Sequence, residues 1–335
     1  MSRAFVCGCQ GKALTPDERA FLRESDPFGV ILFRRNVETP AQVRGLIADF
    51  RAVVGRDAAV LVDQEGGRVQ RLGPPHWRAY PAAARLGALD LPLPRRADLV
   101  RRCATLLGRD LRDLGITVDC APVLDVPAAG AHDVIGDRAF SHQADAVAQL
   151  GRAAALGLAD AGVMPVIKHI PGHGRARVDS HLDLPVVDTP LDRLWDSDFK
   201  PFAANRDLPA AMTAHVVFTA LDPDRPATQS AAVIRFIREA IGFGGLLVSD
   251  DLSMQALRGT LRARTEAAFA AGVDLALHCN GDLAEAEAVA GAAPALAGAA
   301  LTRAERAATW RGEAGAPFDP VEASAEIEAL LAIRV

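Results

Sequence analysis

Eight short apolar runs recur along the chain, and segments with helical patterning separate them. The runs are continuous rather than alternating with polar residues, which is typical of strands buried on both faces of a parallel sheet. Helix start signals stand between them, because Thr followed by Pro occurs at Thr15, Thr39 and Thr189. The predicted strands are Ala4–Cys9, Gly29–Phe33, Ala59–Val62, Thr117–Val123, Val163–Ile167, Ala210–Val216, Gly245–Val248 and Val273–Leu277.

Eight strand and helix units in one chain of 335 residues predict an α/β fold, a single (β/α)8 TIM-type barrel. A doubly wound sheet is the competing architecture, but it needs a glycine fingerprint after its first strand, and Gly8-x-x-Gly11 does not supply one. The repeats cover about 4–280. The Ala- and Glu-rich segment 282–335 predicts a helical tail packed on the barrel, so we expect one catalytic domain over 1–335.

Charge and composition exclude several classes of protein. Lys and Arg number 37 against 42 Asp and Glu, a net charge of −5, which lacks the basic excess of nucleic-acid-binding proteins. No apolar run approaches the roughly 18 residues of a membrane span, and the apolar core of the N-terminus is too short for a signal peptide. Five scattered cysteines give no disulfide framework and no paired zinc motif. We therefore expect a cytoplasmic protein with reduced, buried thiols.

Polar residues follow five of the predicted strands at the point where each strand ends. The third run is followed by Asp63, the fifth by Lys168, the sixth ends near His215, and Asp250 and His278 follow the last two. Each of these alone is compatible with the start of a solvated loop. Barrel enzymes carry their chemistry at this end of the strands, so the convergence of five indicates an active site.

The densest motif runs from Lys168 to Gly174 and is followed by Asp179-Ser180-His181. His169 and His173 have the spacing of helical zinc ligands, but the intervening Pro171 and Gly172 exclude a helix. No Gly-Lys-Ser/Thr follows, so a phosphate-binding loop is weakly supported.

The remaining interpretation is a long loop, about 171–184, that carries His181 as a proton-transfer group. Asp179 lies two residues before His181 and can fix its tautomer, although this tripeptide alone is also compatible with a solvated turn.

Asp250 ends a buried strand, and a carboxylate anchored there by the whole sheet suits a nucleophile. Its neighbour Asp251 is a candidate helix cap, because Asp is a preferred residue at that position. We assign chemistry to Asp250 and a structural role to Asp251.

The motifs together resemble glycoside hydrolase family 3, in its short, single-domain bacterial β-N-acetylhexosaminidase branch. The resemblance covers about 29–280, with two mild departures: Ile170 stands where the family usually has Phe, and the first strand lacks an acidic residue before Gly8. Five motifs in the family's order carry it: Ile31 to Asn36, Val62 to Arg71, Ile135 to Phe140, Lys168 to Gly174 with Asp179-Ser180-His181, and Ser249 to Met254.

The resemblance implies a role for each matching residue. Asp250 matches the catalytic nucleophile, His181 the general acid/base and Asp179 its dyad partner. No metal and no cofactor are implied. The positions that bind the terminal N-acetylglucosamine are matched by Asp63, Arg71, Arg138, Lys168 and His169.

The implied activity is a retaining exo-β-N-acetylglucosaminidase that acts on peptidoglycan fragments such as N-acetylglucosaminyl-anhydro-N-acetylmuramyl peptides in cell-wall recycling. Three alternatives stay open: a family 3 phosphorylase or other β-glycosidase on the same barrel, a Schiff-base enzyme that uses Lys168, and a sugar-binding protein without turnover. The expected partner is a small carbohydrate or muropeptide, with no nucleic acid or membrane. The sequence does not fix the oligomeric state, and we expect a monomer.

Overall fold

Eight parallel strands close into a barrel in the computed structural model of the protein, which describes residues 2–180, 182–310 and 318–332. The predicted (β/α)8 architecture is therefore confirmed. In chain order the strands of these residues are β1 (Arg3–Gly8), β2 (Pro27–Leu32), β3 (Ala59–Val62), β4 (Gln64–Gly66), β5 (Val69–Gln70), β6 (Val118–Asp119), β7 (Met164–Ile170), β8 (Val186–Val187), β9 (Ala210–Thr213), β10 (Val217–Phe218), β11 (Leu246–Asp251) and β12 (Leu275–His278).

The barrel strands follow one another around the ring as β1, β2, β3, β6, β7, β9, β11 and β12. The ring closes because β1 pairs with both β2 and β12, with Phe5 opposite Ala276 and Val6 opposite Gly29. Two small sheets lie outside it, an antiparallel β4–β5 hairpin and a parallel β8–β10 pair. The hairpin follows directly after β3, and β8 and β10 lie in the segments after β7 and β9, so both sheets belong to the end of the barrel where the strand-end polar residues lie.

Helices surround the barrel, and several begin where the sequence predicted. Thr15 and Thr39 cap the first two helices, and Thr15 forms a reciprocal capping box with Glu18. The third Thr-Pro pair also precedes a helix, because α6 begins at Leu191, but Thr189 does not cap it: Pro190 stands at the N-cap position, without a side-chain cap. The helices are α1 (Pro16–Ser25), α2 (Pro40–Val54), α3 (Ala83–Gly87), α4 (Leu93–Arg112), α5 (Ala144–Asp160), α6 (Leu191–Asp196), α7 (Lys200–Ala204), α8 (Ala231–Glu239), α9 (Leu261–Ala271), α10 (Leu283–Ala292), α11 (Gly298–Thr309) and α12 (Pro320–Ala332).

No helix within the described ranges is both long enough and apolar enough to span a bilayer. All five cysteines are buried and free, as predicted.

Two apolar layers hold the fold together. Alternate strand residues such as Val6, Ile31 and Leu61 fill the barrel interior. Their neighbours Phe5 and Leu32 point outward into the layer between the barrel and the helices. Each strand is therefore apolar on both faces, which is why the eight runs read as continuous in the sequence.

Seven of the eight barrel strands differ from the prediction in one or both bounds, and three of these differences bear on the site. β7 runs to Ile170 and β11 to Asp251, so Lys168, His169 and Asp250 lie within the last three residues of strands rather than at the start of loops. The predicted strand 117–123 is shortened to β6, in part because Pro122 has no N–H to donate to a ladder. Lys168, His169 and Asp250 are consequently fixed by strand pairing and not by loop conformation.

The described part of the tail, 282–310 and 318–332, is mostly helical, as predicted, but its first helix belongs to the barrel. α10 follows β12 and is capped by Asp282, so it completes the eighth unit. α12 lies against α4, where Glu326 pairs with Arg102 at 2.6 Å. Arg109 of α4 also stacks on Phe318, 4.6 Å from the ring centre.

Candidate active site

A pocket of about 450 Å³ opens at the carboxyl ends of the barrel strands. Its volume lies in the usual range for small-molecule sites. The ends of β3, β7 and β11 form its floor, and the β4–β5 hairpin and the turn at 134–138 form one wall. The lining includes seven of the eight predicted site residues: Asp63, Arg71, Arg138, Lys168, His169, Asp179 and Asp250. The eighth, His181, lies outside the described residues.

Lys168 stands at the centre of the floor and is only 2% exposed. Its Nζ lies 2.8 Å from Asp63 Oδ1 and 2.6 Å from Glu65 Oε1. Burial opposes the ammonium charge, but the two carboxylates outweigh it and hold the pKa of Lys168 above its ordinary value. The amine is therefore cationic. This does not suit a Schiff-base mechanism, which requires a neutral nitrogen.

Asp63 and Glu65 are the carboxylates on the other side of these ion pairs. Burial raises the pKa of each, and the nearby cations more than compensate, led by Lys168 in both cases. The pKa of Asp63 is lowered, and that of Glu65 falls to about 2. At neutral pH both side chains are ionised, so they accept hydrogen bonds and donate none.

Arg138 completes this network by a two-bond contact with Glu65. Its Nε and one terminal nitrogen each donate to a Glu65 oxygen at 2.8 Å. Burial works against the guanidinium charge, but Glu65 raises the pKa of Arg138. Lys168, Glu65 and Arg138 are thus one buried chain of alternating charges, and a rigid one, because each partner is satisfied.

Arg71 reaches the same network from the end of the hairpin. Its Nη2 donates to Asp63 Oδ2 at 3.2 Å, and its guanidinium lies 4.9 Å from the ring centre of Phe33. Arg35 stacks on the same ring at the same distance. Phe33 is therefore held between two cations, which favours both electrostatically.

His169 is oriented by a buried carboxylate that sequence reasoning did not assign. Asp125 accepts a hydrogen bond from Nδ1 of His169 at 2.6 Å and from the His169 backbone N–H at 3.1 Å. Burial raises the pKa of Asp125, but the charge and hydrogen bonds of its neighbours, led by His169, together lower it by more. The net shift is downward. Because Asp125 accepts from Nδ1, the Nε2 face of the ring is directed elsewhere, and His169 lines the pocket.

Asp250 is the last but one residue of β11. Its Oδ1 accepts the backbone N–H of Asp251 at 2.8 Å. Burial raises its pKa, but the nearby imidazoles of His169 and His215 lower it, and the net effect is a pKa below the ordinary value. The structure thus provides an ionised carboxylate on a rigid strand inside the pocket.

Asp251 has a structural role, as predicted, but it is not a helix cap. Its carboxylate accepts from Ser253 N at 3.0 Å, Ser253 Oγ at 2.7 Å and Cys279 N at 3.1 Å. The next helix, α9, begins ten residues later and is capped by Thr260. Asp251 therefore fixes the turn after β11 and joins it to the end of β12.

Two of the five strand-end residues face away from the pocket. His215 is fully buried, with Nδ1 2.8 Å from Thr228 Oγ1 and Nε2 donating to the Asp251 carbonyl at 3.0 Å. Burial lowers its pKa. His278 contacts Glu285 at 3.0 Å. Neither residue lines the pocket, so of the five strand-end positions Asp63, Lys168 and Asp250 are the ones that reach it.

The loop 171–184 is anchored along its first half. Asp125 accepts the His173 N–H at 2.7 Å, and Arg175 donates to Asp198 at 2.6 Å. Gly174 lies so close to Val126 that a Cβ there would stand 2.0 Å from the Val126 carbonyl oxygen. The backbone from 172 to 176 is therefore built against the neighbouring loop and helix.

The second half of this loop reaches the pocket through Asp179 and Ser180. Ser180 Oγ lies 3.0 Å from His173 Nε2, and the Ser180 carbonyl accepts the Ala256 N–H at 3.2 Å. Burial, with the neighbouring His169, lowers the pKa of His173 to about 4, so this imidazole is neutral. The residue next to His181 is thus held at the pocket from two sides.

No group of three or more metal-ligating side chains occurs within the part of the chain that the structure describes. The two histidines that the sequence offered as zinc ligands have other partners. His169 Nδ1 contacts Asp125, and His173 Nε2 contacts Ser180.

Comparison with known proteins agrees with this geometry. The family model described as the glycosyl hydrolase family 3 N terminal domain matches residues 10–307. A β-hexosaminidase of Thiobacillus denitrificans is 40% identical over 277 residues, which cover 81% of this chain and 76% of the relative. A β-hexosaminidase of Pseudomonas aeruginosa is 36% identical over 344 residues, which cover 100% of this chain and 98% of the relative.

The chain belongs to glycoside hydrolase family 3.

Among solved structures, NagZ from Neisseria gonorrhoeae in complex with N-trifluoroacetyl-D-glucosamine superposes with a TM-score of 0.82 at 30% identity, covering 98% of both chains. The family 3 chain described here is accordingly a glycosidase. The individual roles given to Asp250, His181, Asp179 and the five sugar-binding positions stay predictions.

Sequence reasoning missed two residues of this family 3 site, Glu65 and Asp125. Glu65 lies inside the motif from Val62 to Arg71, and Asp125 follows the predicted strand 117–123 by two residues. The same strand-end argument that selected Asp63 and Asp250 was able to find both. Their partners, Lys168 and Arg138 for Glu65 and His169 for Asp125, are far away in the chain, so the sequence alone did not mark them.

Proposed function

We propose that this family 3 glycosidase is a retaining exo-β-N-acetylhexosaminidase that removes terminal N-acetylglucosamine. The observation that carries the proposal is the ionised Asp250 carboxylate on a strand end inside a pocket floored by fixed donors and acceptors. The names of the relatives, β-hexosaminidases, and of the solved neighbour, which holds an N-acylated glucosamine, support this choice of sugar.

Asp250 acts as the nucleophile in the first step. Its carboxylate attacks the anomeric carbon, and the bond from that carbon to the aglycone oxygen breaks, leaving the sugar covalently attached to Asp250. The attack needs a charged oxygen, which the lowered pKa of Asp250 provides at neutral pH. The backbone bond from Asp251 occupies only one carboxylate oxygen, Oδ1. The other oxygen is then the one that reacts.

His181 supplies the proton. In the first step, protonated His181 gives its proton to the departing oxygen; in the second, neutral His181 takes a proton from the water that releases the sugar. An unperturbed imidazole has a pKa of about 6.5, close to neutral pH, so one side chain serves both steps. Asp179 lines the pocket two residues earlier and is the proposed partner that orients the ring.

The sugar itself is held by the charge network of the floor. Lys168 and Arg138 donate to hydroxyl or acetamido oxygens, while Asp63 accepts from hydroxyl groups. Arg71 and His169 complete the set. Because buried ion pairs fix these groups before the sugar arrives, binding costs little reorganisation and the anomeric carbon is aligned with Asp250.

The proposed natural substrate is a peptidoglycan fragment, N-acetylglucosamine joined to anhydro-N-acetylmuramic acid with or without peptide, in cell-wall recycling. It rests on the family resemblance of the sequence. A cytoplasmic location and a monomeric state are part of the same proposal, and cell fractionation and size-exclusion chromatography test them.

A substrate panel with anomer-resolved product analysis tests the proposal. The purified protein is given 4-nitrophenyl β-N-acetylglucosaminide, the matching α-anomer, the β-glucoside and a muropeptide, and the products are followed by NMR. We expect turnover of the β-N-acetylglucosaminides and early formation of the β-anomer. If the α-anomer forms first, the enzyme does not retain the anomeric configuration. If no substrate is turned over, the alternative of a sugar-binding protein without turnover is supported.

Phosphorolysis is the second candidate, because a neutral His in the acid/base position, unlike a carboxylate, does not repel phosphate. The panel is therefore run with and without inorganic phosphate. Formation of a sugar 1-phosphate in place of the free sugar identifies a phosphorylase.

A further inference from the structure

We propose that Arg68 is a positioning residue for sugar binding, because it holds the turn that carries Arg138. The inference rests on the proposed function, in which Arg138 binds the sugar. Arg68 lies in the turn of the β4–β5 hairpin, and both the hairpin and the turn 133–138 line the pocket. It was part of the sequence motif around Asp63 but received no role there.

Two reciprocal ion pairs join the hairpin to the turn. Glu65 of the hairpin pairs with Arg138 of the turn at 2.8 Å, and Arg68 of the hairpin pairs with Asp137 of the turn at 2.7 Å. The first pair is buried, with side chains 6% and 11% exposed, whereas the second is about half exposed. The hairpin therefore holds the turn at two consecutive residues of opposite charge.

Arg68 makes a second set of contacts that an ordinary surface ion pair lacks. Its Nη2 donates to the carbonyls of Asp133 at 2.7 Å, Val134 at 2.9 Å and Ile135 at 3.1 Å. Nη2 therefore contacts three successive carbonyl oxygens, while Nε of the same side chain donates to the Asp137 carboxylate. Only the planar, forked guanidinium meets both requirements at once; an ammonium is a single point donor.

The turn depends on these contacts because it has little secondary structure of its own. Its regular part is one short 3₁₀ turn, Gly136–Arg138. Gly136 has φ of +44°, and a Cβ at this position would stand 2.2 Å from Asp133 Oδ1 and 3.4 Å from Arg68 Nη2. The segment is thus folded tightly around the Arg68 head group, and glycine is the residue that fits.

The position of the turn is transmitted to the sugar site through Arg138. Its guanidinium contacts the buried Glu65, and Glu65 in turn contacts Lys168. If the turn shifts, Arg138 loses its alignment with Glu65 or its reach into the pocket. Sugar affinity should fall, whereas Asp250 and its strand are not in this chain of contacts, so the chemical step should be preserved.

The test compares Arg68→Gln, Arg68→Lys and Asp137→Asn with Arg152→Gln, which removes a surface pair with Asp207 outside the pocket lining. We expect Arg68→Gln to raise KM about tenfold and to weaken competitive inhibition by free N-acetylglucosamine by the same factor, with kcat within about twofold of the parent. Arg68→Lys should recover part of the loss. Asp137→Asn should cost less than about threefold, since its pair is exposed.

Free N-acetylglucosamine as inhibitor separates positioning from direct contact with the aglycone. If Arg68→Gln weakens muropeptide binding but leaves inhibition by the free sugar unchanged, Arg68 contacts the aglycone and the proposal is wrong. A fall in kcat at constant KM, or behaviour equal to Arg152→Gln, also overturns it. An equal loss in Asp137→Asn would overturn the role given to the three carbonyl bonds.

Hydrogen exchange supplies a readout that needs no substrate. The Arg138 and Ala139 N–H groups donate to Ile135 and Gly136 carbonyls within the turn, at 2.9 and 3.3 Å. Arg68→Gln should accelerate exchange in a peptide covering 133–139 and leave peptides from β11 unchanged; unaltered exchange at 133–139 overturns the proposal. If the parent protein does not cleave N-acetylglucosaminides, the proposed function fails, while the exchange experiment still decides whether Arg68 holds the turn.

Discussion

The floor of the pocket and the loop that overhangs it are positioned by different forces. The floor, made of Asp63, Lys168, His169 and Asp250, stands on the ends of paired barrel strands or directly after one and is tied by buried ion pairs. The described parts of the loop, 171–180 and 182–184, have almost no secondary structure, and contacts with the side chains of Asp125 and Asp198 hold His173 and Arg175. The proposed mechanism therefore combines a sugar-binding floor that is already formed with a proton donor supplied by a separately anchored segment.

The largest expected effect lies in the floor. Asp250→Asn removes the charged oxygen that attacks the sugar, so kcat should fall by about 10⁴-fold or more, with thermal unfolding nearly unchanged. Steady-state kinetics and a melting curve measure both. Asp251→Asn is the matched neighbour: it should lower stability, because Asp251 accepts three hydrogen bonds, more than it lowers kcat. If the Asp250→Asn variant retains its activity, Asp250 is not the nucleophile.

The next effect tests the loop. His181→Ala should reduce kcat/KM by about 10²–10⁴-fold for a disaccharide, whose leaving oxygen needs a proton. For an aryl glycoside with an acidic phenol the loss should be far smaller. The measurement is kcat/KM for both substrates, which reports the first step alone. Equal losses for the two substrates would mean that His181 is not the acid.

The third prediction concerns the ion pairs of the floor. Lys168→Met leaves Asp63 and Glu65 buried without their shared cation, which should cost about 3–5 kcal/mol of unfolding free energy and abolish measurable sugar binding. Lys200→Met is the control, because its pair with Asp145 is exposed and contributes at most about 1 kcal/mol. Urea denaturation measures both. Equal stability of the two variants would show that the floor is not held by charge pairing.

The smallest effect separates the two regions by pH. The buried imidazole of His173 binds a proton only below about pH 4, whereas in the unfolded chain it binds one below about 6.5, so the folded state loses about 3 kcal/mol as pH falls through that window. Glu65 is protonated near pH 2 when folded and near 4.5 when unfolded, so its contribution, also about 3 kcal/mol, is lost between about pH 5 and 2.

The midpoint of urea unfolding is measured at several pH values across both ranges, and the two variants show which residue causes the loss of stability in each range. His173→Gln should flatten the dependence between about pH 6.5 and 4, and Glu65→Gln the dependence between about 5 and 2. A change in the same window for both variants would show that the loop anchor and the floor titrate as one unit.

The barrel was largely predictable because its signal is local. A strand buried on both faces must be apolar throughout, and Thr-Pro pairs mark helix starts, as Thr15 and Thr39 do. Strand ends were less accurate, since pairing with neighbouring strands carries β7 to Ile170 and β11 to Asp251, past the point where the apolar run stops. The cap assigned to Asp251 failed for the same reason: its partners are Ser253 and Cys279, and Cys279 follows another strand.

The sequence by itself determined the fold class, the family and the residue types gathered at one end of the barrel, because strand-end position follows from chain order. Only the tertiary structure decided which of those residues line the pocket and which, like His215 and His278, are buried outside its lining. It also decided the partners, Glu65 for Lys168, Asp125 for His169 and Arg68 for the turn of Arg138. These pairs are far apart in the chain, and the burial that sets their charge states exists only once the barrel has closed.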